Sequence, residues 1–122
     1  MAEKQFYSWQ EFDQDCDALI NMLYSQRGDF DGVWGPPRGG LPLSVVLSHG
    51  LGLPLLPEPK SVKTLIVDDI ADTGETLKKF LGVNFIVTLF YHRQSVTVPS
   101  IYLREKNDGW IIFPWEKEKG RE

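Results

Sequence analysis

Residues 64–76 read TLIVDDIADTGET, and this stretch carries more structural information than any other part of the chain. The run from Lys63 to Val67 is mostly apolar and has the length of a buried parallel strand. Asp68 and Asp69 follow it directly, and open α/β sheets bind their ligands at the carboxyl ends of such strands. We therefore predict a strand, a ligand-binding loop and then a helix from Thr76 to Leu81.

The predicted loop, residues 68–75, is suited to bind a phosphate next to a sugar. Backbone N–H groups, threonine hydroxyls and the start of the following helix can converge on an anion, and Gly74 lets the ligand approach the backbone. Asp68 and Asp69 would repel a phosphate placed against them. They are better suited to ribose hydroxyls, or to a magnesium ion that bridges a polyphosphate. The pattern therefore predicts a ribose phosphate as the ligand.

The rest of the chain alternates helix and strand patterns around this loop. A first helix from Ser8 to Arg27 is indicated by apolar spacings of three and four, a capping box of Ser8 and Glu11, and Gly28 as its stop. The other predicted elements are strands at 30–34, 53–56, 84–91 and 100–104, a helix at 41–49 and a linker at 57–61. This alternation predicts an α/β fold, a single domain over residues 1–122 whose parallel sheet is covered on both faces.

A second glycine-rich loop follows the predicted strand at 30–34. It reads Gly-Pro-Pro-Arg-Gly-Gly at residues 35–40 and leads into a predicted helix. Arg38 beside Gly39 and Gly40 offers exposed N–H groups and one cation, a combination that suits a pyrophosphate. Taken alone, the motif is equally compatible with an ordinary turn. Its position one strand before the acidic loop favours the binding interpretation.

Residues 64–76 resemble the phosphoribosyl pyrophosphate signature of type I phosphoribosyltransferases: a hydrophobic strand, two acidic residues, two apolar or small residues, then Asp-Thr-Gly-x-Thr. The resemblance implies that Asp68 and Asp69 hold the ribose 2′ and 3′ hydroxyls, directly or through Mg²⁺. It further implies a donor-binding segment of Ala71, Asp72, Thr73, Gly74, Glu75 and Thr76, and a pyrophosphate-binding loop of Pro37, Arg38, Gly39 and Gly40. In the family, the peptide bond matching Pro37 to Arg38 is often cis.

Residues 108–116, DGWIIFPWE, resemble the ending of bacterial and archaeal xanthine/hypoxanthine/guanine phosphoribosyltransferases. This similarity implies that Trp110 stacks on a purine, that the backbone at Ile111 reads the edge of the base, and that Asp72 is the catalytic acid/base near purine N7. The family usually has a lysine after the preceding strand, which donates a hydrogen bond to the purine O6. Here His92 and Arg93 follow the strand, and either can donate, but neutral histidine is a weaker donor. We therefore expect either an altered base preference or an acceptor that is not a 6-oxopurine.

The larger departure from the family pattern lies just before the acidic strand. Family members carry there a mobile loop that closes over the site and keeps water from the reacting centre. Residues 50–63 of this chain must hold a short strand and a linker containing prolines. We therefore expect that loop to be deleted, and the hood over the sheet to be reduced.

Composition excludes several other classes of protein. The chain has 122 residues with 13 basic and 17 acidic side chains, a net charge of -4, and no basic cluster that could neutralise nucleic-acid phosphates. It contains no run near the roughly 20 apolar residues of a membrane span and no apolar signal region, so a cytoplasmic protein is expected. Cys16 lies in the apolar helical stripe and is expected to be a buried thiol. The tail from Glu116 to Glu122 is expected to fray, and the resemblance implies a homo-oligomer.

The predicted function is conversion of a purine base (guanine, xanthine or hypoxanthine) and phosphoribosyl pyrophosphate to a nucleoside monophosphate and pyrophosphate, with Mg²⁺. The alternative is a non-catalytic module of the same fold that binds a nucleotide or the donor, which the missing loop favours. A phosphoacceptor receiver domain also has an acidic pair after a strand, but there the pair follows the first strand. In a third interpretation both loops are only turns, and Asp72 and Thr73 merely cap a helix.

Overall fold

Two parallel sheets and two α-helices make up the computed structural model, which describes residues 3–117. In chain order the elements are β1 (Lys4–Phe6), α1 (Trp9–Leu23), β2 (Gly32–Trp34), α2 (Leu41–Leu51), β3 (Thr64–Ala71), β4 (Ile86–His92), β5 (Ile101–Lys106) and β6 (Trp110–Ile112). The main sheet has the order β2-β3-β4-β5, and β1 pairs with β6 in a small second sheet. The predicted α/β class with a parallel sheet is confirmed. Neither helix combines the length and apolar character that crossing a membrane requires, as far as residues 3–117 are concerned.

Helix α1 begins at the predicted capping box and ends earlier than predicted. The Ser8 Oγ accepts a hydrogen bond from the Glu11 N–H, and the Ser8 N–H donates to Glu11 Oε1, both at 3.0 Å. After Leu23 the chain tightens into a 3-10 helix at Tyr24–Asp29, so the prediction of a continuous helix to Arg27 was wrong. Cys16 is buried as predicted, and burial raises the pKa of its thiol to about 12.

The two faces of the main sheet are covered very differently. Helices α1 and α2 pack on the face that carries Leu65, Val67 and Leu89. The opposite face, which carries Ile66 and Ile86, is covered by Leu77 and Phe80, packed beside Trp34. Phe80 ends a single 3-10 turn at Lys78–Phe80, and no α-helix covers this face within the described residues. The prediction of a helix at 76–81 was therefore wrong. Both faces of the sheet are covered, as predicted, but the second face is covered by a 3-10 turn.

Residues 76–81 form no α-helix because the chain bends shortly before and shortly after them. Gly74 and Gly82 both have positive φ, at 83° and 75°, and β4 already begins at Ile86. Only residues 75–81 remain between the bends, too few for a stable α-helix. Leu77 and Phe80 lie three residues apart, and in a 3-10 turn residues at that spacing lie on the same side. The segment thus buries both side chains in a single turn.

The small sheet of β1 and β6 forms the reduced hood beside the carboxyl end of the main sheet. Tyr7 attaches it, because its ring packs edge-to-face on Phe90 and Phe113, with centroids 5.1 and 5.8 Å away. The Tyr7 hydroxyl donates to Asp15 Oδ2 at 2.6 Å, and that carboxylate also pairs with Arg104 at 2.7 Å. Strand β1 was not predicted, since three exposed residues of mixed character give no periodic signal.

The connection from α2 to β3 runs along the edge of the main sheet. Gly52 ends α2 with a positive φ of 66°, and the predicted strand at 53–56 is reduced to one bridge between Leu55 and Val33. The Thr64 hydroxyl donates to Asp31 Oδ1 at 2.8 Å and accepts from the Ser61 N–H at 3.1 Å, which holds the turn into β3. Residues 52–63 therefore form the bridge to β2 and the turn into β3. No residues of this connection remain for a loop that could close over the site.

The carboxyl-terminal end of the described chain is more ordered than expected. The Glu116 carboxylate accepts a hydrogen bond from the Phe113 N–H at 2.8 Å, and the Glu116 N–H donates to the Phe113 carbonyl at 3.0 Å. The expectation that the tail frays from Glu116 was wrong at that residue. The part of it that concerns residues 118–122 lies outside the described residues.

Replacing Phe80 by alanine is expected to lower the free energy of unfolding by about 3 kcal/mol, the lower end of the usual cost for a buried phenylalanine. Phe80 is 7% exposed and, with Leu77, covers the second face of the sheet. Leu81→Ala is the matched control: at 47% exposure its loss should cost less than about 1 kcal/mol. Urea unfolding followed by tryptophan fluorescence measures both. Equal losses would show that Phe80 does not hold that face.

Candidate active site

The loop at residues 35–40 places Arg38 and two glycines, Gly39 and Gly40, at the carboxyl end of β2. The Pro37–Arg38 peptide bond is cis, as the resemblance implied. Gly39 lies so close to Asp69 that a Cβ there would come within 2.5 Å of Oδ2, and the Gly40 N–H closes the turn into α2. Arg38 is exposed and borders a cavity of about 630 Å³, lined by Arg38, Gly39, Asp69, Trp115, Glu116 and Lys117.

The acidic pair lies inside β3 and not in the loop after it. The strand continues to Ala71, because Ile70 and Ala71 still pair with Phe90 and Tyr91 of β4. Asp68 Oδ1 accepts a hydrogen bond from the Asp69 N–H at 2.8 Å. Pairing with β4 before and after these residues therefore fixes the backbone that carries the carboxylates. The prediction that the loop begins at Asp68 was wrong by four residues.

Burial makes these carboxylates hard to ionise. Asp68 is 8% exposed, and its pKa is raised above the ordinary range first by burial and then by the charge of Asp69. The pKa of Asp69 is also raised, chiefly by burial. A bound cation or a set of hydroxyl donors would offset this cost, because either compensates buried negative charge. The pair therefore has the properties of a binding site for a cation or for hydroxyl groups.

The segment that follows β3, residues 72–76, is a tight loop braced from behind by residues 95–97. The Thr97 hydroxyl donates to the Gly74 carbonyl at 2.7 Å, and the Val96 N–H donates to the Thr73 carbonyl at 2.8 Å. A Cβ on Gly74 would collide with Ser95 Oγ. Among the hydrogen bonds of residues 3–117, none uses the N–H groups of Thr73 and Gly74. Those two donors remain available to an anion.

This brace takes the place of the helix that the sequence pattern predicted after residues 72–76, which we call the phosphate loop after their predicted ligand. Without an α-helix after Thr76, no helix dipole contributes to anion binding, so the available N–H groups and hydroxyls must do so alone. Thr76 lines the cavity in front of the loop, whereas Glu75 is exposed and its N–H donates to Thr73 Oγ1 at 3.3 Å. The cavity has a volume of about 290 Å³, and its lining includes Pro36, Pro37, Gly39, Asp68, Asp69, Ala71, Asp72, Thr73, Gly74 and Thr76.

A second cavity, of about 160 Å³, lies under the hood. Its lining includes Asp69, Asp72, Lys106, Trp110, Ile111, Phe113 and Glu116. Trp110 is 61% exposed, so its ring is free to stack on a flat ligand, while Ile111 is buried beside it. Asp72 lines this cavity and the one in front of the phosphate loop. One carboxylate therefore faces both spaces.

Lys106 is the site residue that sequence analysis missed. Its Nζ lies 3.1 and 3.0 Å from the two oxygens of Asp72, and its side chain is only 12% exposed. The available signal was its position at the carboxyl end of a parallel strand, the edge where such sheets bind ligands. His92, the sequence candidate, places Nδ1 3.5 Å from Asp72 Oδ1 but lines a neighbouring cavity together with Arg93 and Asp108.

Comparisons with known proteins find purine phosphoribosyltransferases of similar sequence and fold. No protein-family model matches the sequence. A xanthine-guanine phosphoribosyltransferase of Nitratidesulfovibrio vulgaris (Hildenborough) is 26% identical over 137 residues, which cover 91% of this chain and 83% of that protein. A purine phosphoribosyltransferase structure from Pyrococcus horikoshii is 30% identical with a TM-score of 0.80, over 95% of both chains. The Helicobacter pylori xanthine-guanine-hypoxanthine phosphoribosyltransferase shares the fold, with a TM-score of 0.78 at 22% identity over 93% of this chain and 92% of that one.

Gly74→Ala is expected to destabilise the protein more than Gly82→Ala. Both glycines have positive φ, so each alanine costs about 1–2 kcal/mol of backbone strain. Only Gly74 is crowded, because its Cβ would meet Ser95, Val96 and Thr97, whereas the Gly82 Cβ would meet nothing within 4 Å. Urea unfolding gives the two free energies. Equal effects would contradict a brace at residues 95–97.

The pH dependence of stability should change in Asp68→Asn. The folded-state pKa of Asp68 is raised, so the folded protein binds more protons than the unfolded chain above about pH 4, and its stability falls as the pH rises. Asparagine does not ionise, so the variant does not lose stability at this position as the pH rises. The variant should match the parent near pH 4 and exceed it at pH 7.5, with a pKa difference of one corresponding to about 1.4 kcal/mol.

The measurement is urea unfolding from pH 4 to 8 with a chelator present and no ligand. Asp13→Asn, at an exposed position of α1, is the control and should leave the pH profile unchanged. Parallel profiles for the parent and Asp68→Asn would contradict a raised pKa.

Proposed function

The chain belongs to the purine phosphoribosyltransferase family, and from this premise we propose that it transfers the phosphoribosyl group of phosphoribosyl pyrophosphate to a 6-oxopurine. The observation that carries the proposal is the position of Asp72, which lines the cavity in front of the phosphate loop and the cavity under Trp110. A donor in the first and a base in the second would meet at that carboxylate. The names of the relatives, purine and xanthine-guanine phosphoribosyltransferases, support the same chemistry.

In the proposed reaction, a ring nitrogen of the base attacks C1′ of the ribose. A carbon–nitrogen bond forms, and the bond from C1′ to the pyrophosphate oxygen breaks, with its electron pair leaving on the pyrophosphate. The base loses one proton, which Asp72 is placed to accept. Its carboxylate is 44% exposed and faces the cavity that would hold the base. A positioned carboxylate of this kind typically contributes about 10²–10⁴-fold to rate.

The leaving pyrophosphate would lie beside the first loop. Arg38 borders the large cavity there, and the backbone at Gly39 is bare enough for close approach. Donors fixed before the reaction stabilise charge as it develops, without having to reorganise. The 5′-phosphate would lie in the loop at residues 72–76, where the N–H groups of Thr73 and Gly74 are available.

Asp68 and Asp69 fit a magnesium ion that arrives with the donor. Residues 3–117 contain no cluster of three or more acidic, histidine or cysteine side chains that could hold a metal by themselves. Mg²⁺ commonly takes one or two protein carboxylates and completes its shell with phosphate oxygens and water. When bound, it would offset the charge of the pyrophosphate. The raised pKa values of the pair are consistent with carboxylates that need such a partner.

One structural observation favours a second candidate, a non-catalytic module that binds the donor or a nucleotide. The connection at residues 52–63 bridges to Val33 and turns directly into β3, so it leaves the cavities uncovered. Water could then compete with the base for the ribose. The two functions differ in whether nucleotide is formed.

The test is an assay with Mg²⁺, phosphoribosyl pyrophosphate and each of guanine, hypoxanthine, xanthine and adenine, following nucleotide and free ribose phosphate together. Asp72→Asn should lower nucleotide formation by about 100-fold or more, because it removes the proton acceptor, whereas Asp13→Asn should not change it. Undiminished transfer in Asp72→Asn would refute the assigned role. Donor binding without any product from the parent protein would establish the binding module, and ribose phosphate alone would establish hydrolysis.

A further inference from the structure

Among the described residues, Lys106 is the only positively charged side chain that lines the cavity under Trp110. It lies at the end of β5, directly across from His92 of β4. Its ammonium is nearly buried and bridges both oxygens of Asp72 at 3.1 and 3.0 Å. A buried lysine is costly unless it is paired, so Asp72 holds this charge in place. The cation thus has a fixed position at the wall of the cavity.

We propose that Lys106 is the residue that selects the base, by donating a hydrogen bond to the oxygen at position 6 of a 6-oxopurine. The inference rests on the proposed function and identifies the group that distinguishes an oxo from an amino substituent. An ammonium has three donors and no acceptor. After bridging Asp72, Lys106 still has a donor for a carbonyl oxygen. A 6-amino group presents N–H donors to the same ammonium and is rejected.

The arrangement of the two charged groups matches one edge of a purine. The oxygen at position 6 and ring nitrogen N7 are neighbours on that edge. In the free base N7 can carry a proton, so the edge then presents an acceptor to a cation and a donor to a carboxylate. Lys106 and Asp72 are likewise neighbours, in contact at about 3 Å. A base stacked on Trp110 would direct this edge to the pair, with Lys106 at position 6 and Asp72 near N7.

His92 is less suited to this task, although it occupies the sequence position first considered. Its Nδ1 lies 3.5 Å from Asp72 Oδ1, and its Nε2 lies 3.7 Å from Asp108 Oδ1 on the other side. Its ring lines the adjacent cavity, which Lys106 also borders, but of these two residues only Lys106 lines the cavity under Trp110 as well. The donor to the base therefore comes from β5 and not from β4.

The experiment compares guanine with 2-aminopurine, which lacks the oxygen at position 6 and the proton on ring nitrogen N1. Because this second difference is the same for every variant, the change in preference between parent and variant reports the group removed. The readout is the ratio of the two kcat/KM values, because any general effect of a substitution on Asp72 cancels in the ratio. In Lys106→Met the preference for guanine should fall by about 10- to 100-fold, the usual range for losing a hydrogen bond from a charged group. Lys106→Gln keeps a donor and should recover part of the preference. Lys63→Met, at an exposed site just before β3, is the control and should retain it fully.

A binding measurement separates failure of this inference from failure of the proposed function. Calorimetry with guanosine monophosphate and with 2-aminopurine riboside monophosphate gives the same ratio without turnover. A parent protein that neither forms nucleotide nor binds guanosine monophosphate would refute the proposed function. A parent that prefers guanine or its nucleotide, with the preference intact in Lys106→Met, would overturn the inference alone. Collapse of the preference in His92→Gln but not in Lys106→Met would overturn it as well and assign the donor to His92.

Discussion

Two largely buried carboxylates held side by side at the carboxyl end of the sheet impose the main constraint on this structure. Asp68 and Asp69 cannot move apart, because β3 continues to pair with β4 beyond them. Burial opposes their ionisation, so near neutral pH the free protein carries a cost that a bound cation or a set of hydroxyl donors would offset. The surroundings follow from this placement: Gly39 can approach Asp69 only because it lacks a Cβ. Sites that bind charged ligands commonly trade stability for function in this way.

The parts of the fold and site that the sequence predicted correctly depend on neighbours in the chain. The capping box of Ser8 and Glu11 spans three residues, and the apolar part of β3 up to Val67 is one continuous stretch. The prediction of a helix at 76–81 was wrong because it, too, rested only on residues that are neighbours in the chain. These residues permit a helix, but two glycine bends leave too little chain between them. Local propensity is a weak prior when the chain must turn at both ends.

The parts that could not be predicted depend on residues far apart in sequence. Thr97 bonds to Gly74 across 23 positions, and Lys106 reaches Asp72 across 34. Neither contact leaves a periodic or spaced signal, because each is created by the parallel order of the strands. The same applies to the pairing of β1 with β6, which joins the two ends of the described chain. Hydrophobic patterns indicate the strands, whereas the order in which they pair decides which side chains meet.

The direct connection at residues 52–63 changes what would limit turnover. In enzymes whose site is closed by a moving segment, opening of that segment often sets the rate. Here the edge bridge of Leu55 and Val33 holds the connection against the sheet. If ligands exchange freely with the cavities, substrate dissociates many times before each chemical event, and KM approaches the true dissociation constant. Turnover would then be insensitive to solvent viscosity and would report the chemical step itself.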